Sequence, residues 1–518
     1  MKNKFSCLLV AIISIIIIFS FSIGANFTIV SYGNSNDKAI VKKVYNTNEQ
    51  KIYTKYSNYD FIKADNISSK KKVSYKELSN IITSSNKQGL IYGISFDKNF
   101  ENFLLSEEIN SSNIVDYTNG TLNIAEINKI LIKKGKQLLK LPKYFYIFKT
   151  ESKYYENGYI KLTNTDGFNM RDISLDNVFD IANDASLTLA NMNDSSGKYE
   201  YGYYIDTAEQ INDYNILRHA GSTWSLILEY KINPSKELAG VIKRSIKYIV
   251  DNNLVSNDED KIYVYEQESD EIKLGGCALT LLMLSEYMET FNDFEYLNTS
   301  KGIANAIIGM QKADGSFTHV LEKDLSIKEE YRTVYYDGES TYAILKLYGI
   351  TKNSNYIEAV EKSFDYFINN NFESYHDHWI SHSLDEYSKY KINDKYVSFA
   401  LLNYTYNSDN IISLNSFNPT GLELLTSTYS LYSRVLKENK ELVSGFDIDK
   451  LKSDIDNRTI YLLQRYTYPE VAMYYKNPSI SMNAFYSKED YFRLRIDDIQ
   501  HSIVGLIFYY DLFQKNQA

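Results

Sequence analysis

Asp213–Tyr230 reads DYNILRHAGSTWSLILEY, a polar, charged entry that runs at once into a segment with almost no polar side. A surface helix keeps one hydrophilic face. Here water would meet leucine, isoleucine or tryptophan on every side, so the helix is expected to be buried all round. The plan recurs downstream. GGCALTLLMLSEY from Gly275 and GESTYAILKLYGI from Gly338 are also apolar nearly throughout, and further inner-type starts fall near Asp377, Thr420 and Asp497. Between them lie amphipathic helices with a single apolar stripe: Leu238, Ile242, Ile246 and Ile249; then Ile303, Ile307 and Met310; then Tyr356, Val360, Phe364 and Phe367. About six inner helices are expected, counting the one near Arg218, and five of them have an outer helix after them. The helix Val178 to Met192 is left to pair with the last inner helix. A ring closed by its own two ends explains this pattern better than an open solenoid with capped ends.

The rest of the chain sets limits. At 518 residues it is too long for one ordinary core and suits a helical barrel at 171–518 preceded by a smaller domain at 30–170. The net charge of −10 comes with no dense basic patch beyond Lys70–Lys72, which argues against nucleic acid as a partner. The two cysteines, Cys7 and Cys277, predict no disulfide, and Cys277 reads as a small core residue. Residues 1–29 carry MKNK and then CLLVAIISIIIIFSFSIGA, read as a signal peptide or a membrane anchor, with the isoleucine run long enough to stay as an anchor. Lysines ahead of the run put the body outside the membrane, either anchored to its outer face or secreted.

In 30–170, Ala39 to Tyr56 alternates as half-buried strands do. Ser74 to Ser84 and Ala125 to Leu139 read as helices, and Tyr144 to Leu162 as a hairpin turning at Asn157-Gly158. This mixed α/β segment carries no catalytic motif and reads as a structural or docking domain.

The hairpin rhythm from about Asp172 onward, the joining segment MQKADGSF at Met310–Phe317, and the polar starts YNILRHAG, KLGG, YYDGE, HDHW and RIDDIQH carry a family resemblance. The chain resembles the (α/α)6 toroid proteins, which include six-hairpin glycosidases, polysaccharide lyases and uronyl epimerases. The polar starts are also similar to those of a bacterial group of such toroids without an established reaction, so no catalytic residue carries over by motif. QKADGSF is similar to the QW repeat of terpene cyclases, with Phe317 in place of tryptophan. DDIQ at Asp497 lacks their acidic signature, however, and an exported enzyme would rarely meet a polyprenyl substrate.

In such a ring the inner helices run the same way, so their N-termini gather at one mouth that favours anionic or oxygen-rich ligands. Arg218, His219, Glu339, Asp377, His378, Trp379, Arg495, Asp497, Asp498 and His501 are expected there, with Tyr214 and Tyr336 beside them. Aromatic faces that stack on a sugar ring and carboxylates for acid–base work suit an oligo- or polysaccharide, anionic ones included. Each residue also has a structural role to weigh. Asp337, Asp377 and Asp497 stand where N-caps belong, and Thr420 with Glu423 reads as a capping box. Glu339 lies just inside its helix, where neither capping nor an apolar core requires it. It is the leading catalytic candidate, and Asp498 follows by a weaker version of the argument. His219 is either a mouth residue or a core histidine bonded to a neighbouring hairpin. His378 and His382 have a metal-compatible spacing, but no matching cluster of ligands accompanies them, and neither metal nor cofactor is expected. Arg218 and Arg495 either pair with carboxylates or clamp a uronate.

The leading expectation is an exported glycoside hydrolase in which Glu339 works with Asp377 or Asp498. The alternatives are a uronan lyase or C5-epimerase using Tyr214 or Tyr336, His219 and Arg218, and a non-catalytic polysaccharide- or wall-binding protein.

Overall fold

The computed structural model describes residues 29–32, 39–43, 51–55, 59–64, 66–84, 92–109, 115–116, 121–151, 153–156, 159–162, 172–258, 260–413, 417–488 and 490–514. Residues up to 28, and with them the whole hydrophobic run read above as a leader, lie outside the described residues, as do Asn157 and Gly158. Among the described residues no helix is long and apolar enough to cross a membrane.

The chain divides into two compact units. The first comprises the described residues up to 169 together with Ile205–Thr207 and Thr467–Met482; the second holds the remainder. In the first, an antiparallel sheet runs in the order Asn66–Ser74, Tyr144–Glu151, Gly93–Ser95, Phe103–Leu104. With it come helices α1 (Tyr75–Ser84) and α2 (Ile124–Lys133), and Val73, Leu78, Ile94, Ile127, Leu131 and Phe145 form a shared core. The expected strands at Ala39–Lys43 and Lys51–Lys55 are present, and Lys153–Glu156 pairs with Tyr159–Leu162 as a hairpin. α2 stops short of the expected Leu139. Gly135 takes a φ of +69° and the Lys136 N–H returns to the Leu131 carbonyl, which ends the helix.

The second unit is helical: α3 (Leu175–Asn191), α4 (Ile216–Ile232), α5 (Lys236–Asn252), α6 (Leu274–Phe291), α7 (Leu297–Met310), α8 (Tyr335–Thr351), α9 (Ser354–Asn369), α10 (His378–Ser388), α11 (Asp394–Ser413), α12 (Thr420–Glu438), α13 (Ile448–Leu463) and α14 (Ile496–Gln514). The even-numbered helices pack side by side in order, and α14 packs on α4, so the circle closes. Each of α5, α7, α9, α11 and α13 lies outside the inner helix before it, and α3 lies outside α14. This is an (α/α)6 toroid.

Burial follows the sequence pattern. In α5 the buried apolar residues are the stripe Leu238, Val241, Ile242, Ile246 and Ile249, whereas α6 is buried continuously from Leu274 to Met288. An outer helix has one neighbour layer and open water opposite, so one stripe suffices, while an inner helix touches protein on both flanks and behind. The joining segments are clips. Asn193 bridges to Tyr199, and Gln311 to Phe317. Gly197 and Gly315 take φ of +97° and +96°, and a Cβ on either would lie 2.2 Å from an outer-helix carbonyl, that of Arg244 or Lys362. Gln311 donates its amide to the Ala359 carbonyl and to Ser363 Oγ, both at 2.9 Å. The QKADGSF motif therefore fastens one hairpin to the next.

Candidate active site

The inner helices bring their first turns to one end of the ring, and a cavity of about 320 Å³ opens there. Arg218 reaches it from α4, Tyr335 and Glu339 from α8, His378 and Trp379 from α10, and Asp497, Asp498 and His501 from α14, with Arg495 just ahead of α14. A run of helical N-termini around a polar cavity is where oxygen-rich ligands are best held.

The charges there are mostly arranged in pairs. Asp497 lies 3.0 Å from Arg218 Nε through one oxygen and 3.0 Å from Arg495 Nε through the other. Burial works against ionising Asp497, but the two guanidinium groups outweigh it and hold its carboxyl below the usual range. Asp498 accepts from the Arg495 N–H at 3.0 Å and from Arg493 at 3.1 and 3.2 Å. Neither arginine of the expected uronate clamp is free. Each already faces Asp497.

Three groups lack such partners. Glu339 is 4 % exposed, and its Oε2 has no hydrogen-bond partner. Burial, and then the nearby Asp377, raises its carboxyl well above the ordinary value. His378 is 3 % exposed; neither ring nitrogen makes a hydrogen bond, Nδ1 stands 4.0 Å from Asp377 Oδ1, and burial lowers its basicity, so the ring is neutral. Asp377 caps α10 by accepting the Trp379 N–H at 2.8 Å, as the sequence suggested; its other oxygen is unpartnered, and burial raises its carboxyl too. A Cβ on Gly338 would stand 2.5 Å from that oxygen, so Asp377 lies tucked against α8 and is absent from the cavity wall. The hydrolytic partner expected at Asp377 is therefore displaced by its capping geometry, and that expected at Asp498 is engaged by two arginines.

His501 is the opposite of His378. Its Nδ1 is 2.7 Å from Glu423 Oε1; burial opposes its charge, but Glu423 outweighs it and raises its basicity. Glu423 is itself fully buried and reaches His382 Nε2 with its other oxygen at 2.9 Å. Its carboxyl is held down to about 2, burial being overcome chiefly by His501. The rings of His378 and His501 stand 5.1 Å apart at 84°. Nitrogen and oxygen atoms of His378, Glu423 and His501 lie within 4.8 Å of one another, which is ion-sized spacing. Both Glu423 oxygens already accept from imidazoles, those of His501 and His382, and His378 stands outside that hydrogen-bonded chain.

Several expectations need correction. His219 and Tyr214 do not join the mouth. The Tyr214 hydroxyl and His219 Nδ1 are 2.7 Å apart, His219 Nε2 meets Ser245 Oγ on α5 at 2.6 Å, and its ring stacks on Tyr248. Successive helical residues point about 100° apart, so with Arg218 on the lumen His219 must turn outward. Tyr336 is buried beside His319 and is not on the cavity wall, which its neighbour Tyr335 lines instead. Asp337 caps nothing, since α8 begins after Val334; it meets His319 Nε2 at 2.8 Å. Glu423 forms no capping box. Thr420 bonds to Asn418, and Glu423 joins two histidines. Glu423 was missed because TGLE fits a cap so well; the usable signal was one acid in an otherwise apolar first turn.

No protein-family model and no curated protein matches the sequence. Among solved structures the chain is similar to cellobiose 2-epimerase from Bacillus thermoamylovorans (10% identity, 65% of this chain and 100% of that one, TM-score 0.48). It is also similar to unsaturated glucuronyl hydrolase from Streptococcus agalactiae (13%, 66% and 93%, TM-score 0.47) and to a family 76 mannosidase from Bacteroides thetaiotaomicron (11%, 66% and 100%, TM-score 0.46). The ring architecture of this chain rests on its own helix packing and not on these likenesses. At such identity the similarities say nothing of the reaction.

Proposed function

We propose that this protein is an exported carbohydrate-active enzyme that moves protons on an oligo- or polysaccharide, with epimerisation or isomerisation next to a sugar carbonyl as its reaction. The observation that carries this is two imidazoles facing each other across the same cavity, His378 made less basic by burial and His501 made more basic by Glu423. Environments that push two titratable groups apart set up a base and an acid. His378, with neither nitrogen hydrogen-bonded, takes the proton from the carbon beside the carbonyl. The electron pair of that C–H bond moves to the carbonyl oxygen, where Glu339, kept protonated, donates a hydrogen bond to the developing enediolate. His501 then returns a proton to the carbon, and exchange with water resets the two rings. Trp379 supplies an aromatic face to the sugar. Arg218 and Arg495, held by Asp497, shape the wall without demanding an anionic substrate.

Glycoside hydrolysis is the second reading, favoured by Glu339 itself, because a carboxyl kept protonated on a cavity wall is what a leaving glycosidic oxygen requires. One experiment separates the two. The protein is incubated in deuterium oxide with a panel of reducing disaccharides and polysaccharides, and carbon-bound deuterium and new reducing ends are both measured. Deuterium at the carbon beside the anomeric centre supports proton transfer at carbon. New reducing ends without deuterium support hydrolysis, and binding without either product leaves a recognition protein. Export is tested apart from the chemistry: protease added to intact cells should release fragments of the body, and a body protected until lysis would refute it.

A further inference from the structure

His382, the second histidine of HDHWISH, takes no part in the proton transfer proposed above, and the structure turns it away from the mouth. With Tyr342 and Ser427 it lines a separate cavity of about 290 Å³ toward the C-terminal ends of the inner helices. The side chains of Lys231 and Lys389 on that wall are 56% and 45% exposed, so this second cavity also meets water. Between the cavities stands Glu423, with one oxygen toward His501 and the other toward His382. An ionised carboxylate offers only acceptors, so His382 donates its Nε2–H. Its Nδ1 lies 2.7 Å from Ser427 Oγ and, in the neutral ring, accepts from that hydroxyl. Ser427 thereby anchors the ring in the tautomer that Glu423 requires, as outer partners of functional imidazoles commonly do.

We propose that His382 is a positioning residue of the mouth site: held by Ser427 from the opposite cavity, it orients the Glu423 carboxylate that in turn orients His501. Without that donor, one oxygen of the fully buried Glu423 is left unpartnered, which pushes its carboxyl up and frees it to turn. Its hold on His501 weakens accordingly. The other charged groups that face it do not replace Glu423. Asp497 and Asp498 on its own helix are engaged by Arg218, Arg493 and Arg495, and His378 across the cavity is neutral.

The test uses the full chain with ¹⁵N-labelled histidine and reads ring titrations by NMR in wild type, His382→Leu, His382→Gln and Ser427→Ala. The proposal rests on the proton-transfer reading only where turnover is scored, because the titration needs no substrate. In His382→Leu the titration midpoint of His501 should fall by about one pH unit or more. In His382→Gln, whose amide can present an N–H in the same place, it should stay near wild type. Where turnover is measurable, kcat should drop about tenfold in the leucine variant with KM little changed, and glutamine should restore it. An unmoved His501 in folded His382→Leu, or glutamine behaving like leucine, overturns the proposal. Should the leucine variant fail to fold, Ser427→Ala decides: with the Nδ1 anchor gone His382 holds Glu423 less firmly, so the His501 midpoint should fall in the same direction, and an unmoved His501 overturns the proposal. Wild type that incorporates no deuterium while His501 still shifts would refute the reaction and leave the positioning role standing.

Discussion

A carboxyl that burial keeps protonated at neutral pH is a source of instability as well as of chemistry. Glu229 on α4 shows this apart from the mouth. It is 1 % exposed, neither oxygen has a hydrogen-bond partner, and burial pushes its carboxyl up to about 7. A raised folded-state value means that the group's stabilising share is fully present below about pH 4.5 and is lost as pH rises through about 7. A shift of that size corresponds to roughly 3 kcal/mol. Glu229→Gln should therefore match wild type in urea unfolding at pH 4.5 and exceed it by about 1–3 kcal/mol at pH 8. Equal stability at pH 8 would mean that Glu229 finds a partner in solution. Glu339→Gln should show the same sign, a gain at alkaline pH, together with loss of turnover and near-intact ligand binding, because glutamine keeps the shape and cannot lend a proton. Glu339 was legible in the sequence because a charge inside an apolar helix, past the cap position, has no local use. Asp337 and Glu423 were not, because their partners His319, His382 and His501 come from other segments, and local rules offered a cap that explained each acid equally well.

At the level of the element, the alternation of all-round and one-striped helices was readable because inner and outer positions in a ring differ in how many sides touch protein. What could not be read was how closely neighbouring helix starts approach. Gly338 and Gly275 mark that approach. A Cβ on Gly338 would lie 2.5 Å from Asp377 Oδ2 and 2.9 Å from Trp379 Cβ, and one on Gly275 would lie 2.5 Å from Glu339 Oε2. Gly338→Ala should cost about 1–3 kcal/mol in thermal or urea unfolding by forcing α8 and α10 apart. It should also disturb the mouth, whereas Gly240→Ala on outer helix α5, where a Cβ meets nothing within 4 Å, should be neutral or slightly stabilising. Equal stability of the Gly338 and Gly240 variants would show that the helix starts yield more readily than the packing implies.

For the molecule as a whole, closure of the ring makes the helical unit a single cooperative body. α14 lies against α3, α4 and α12, with Tyr510 beside Phe179 and the rings 5.1 Å apart. Removing residues from Asp497 onward uncovers the apolar faces of all three neighbours. It should abolish the sharp thermal transition of the unit, whereas an open array would lose only its last repeat. A soluble truncation with a sharp transition would argue against a cooperative ring.

The same closure has a consequence for how the protein is made. α3 is among the first segments of the helical unit to leave the ribosome, but its partner α14 is the last. At the usual pace of synthesis the interval is on the order of tens of seconds. Throughout it, Val178, Ile181, Ala185 and Leu189, all buried in the finished ring, have no hairpin partner to cover them. Nascent chains stalled before Asp497 should therefore bind holdase chaperones and be cut by protease within α3. Chains released past Gln514 should lose both properties together, since the final helix covers α3 and closes the ring at the same moment.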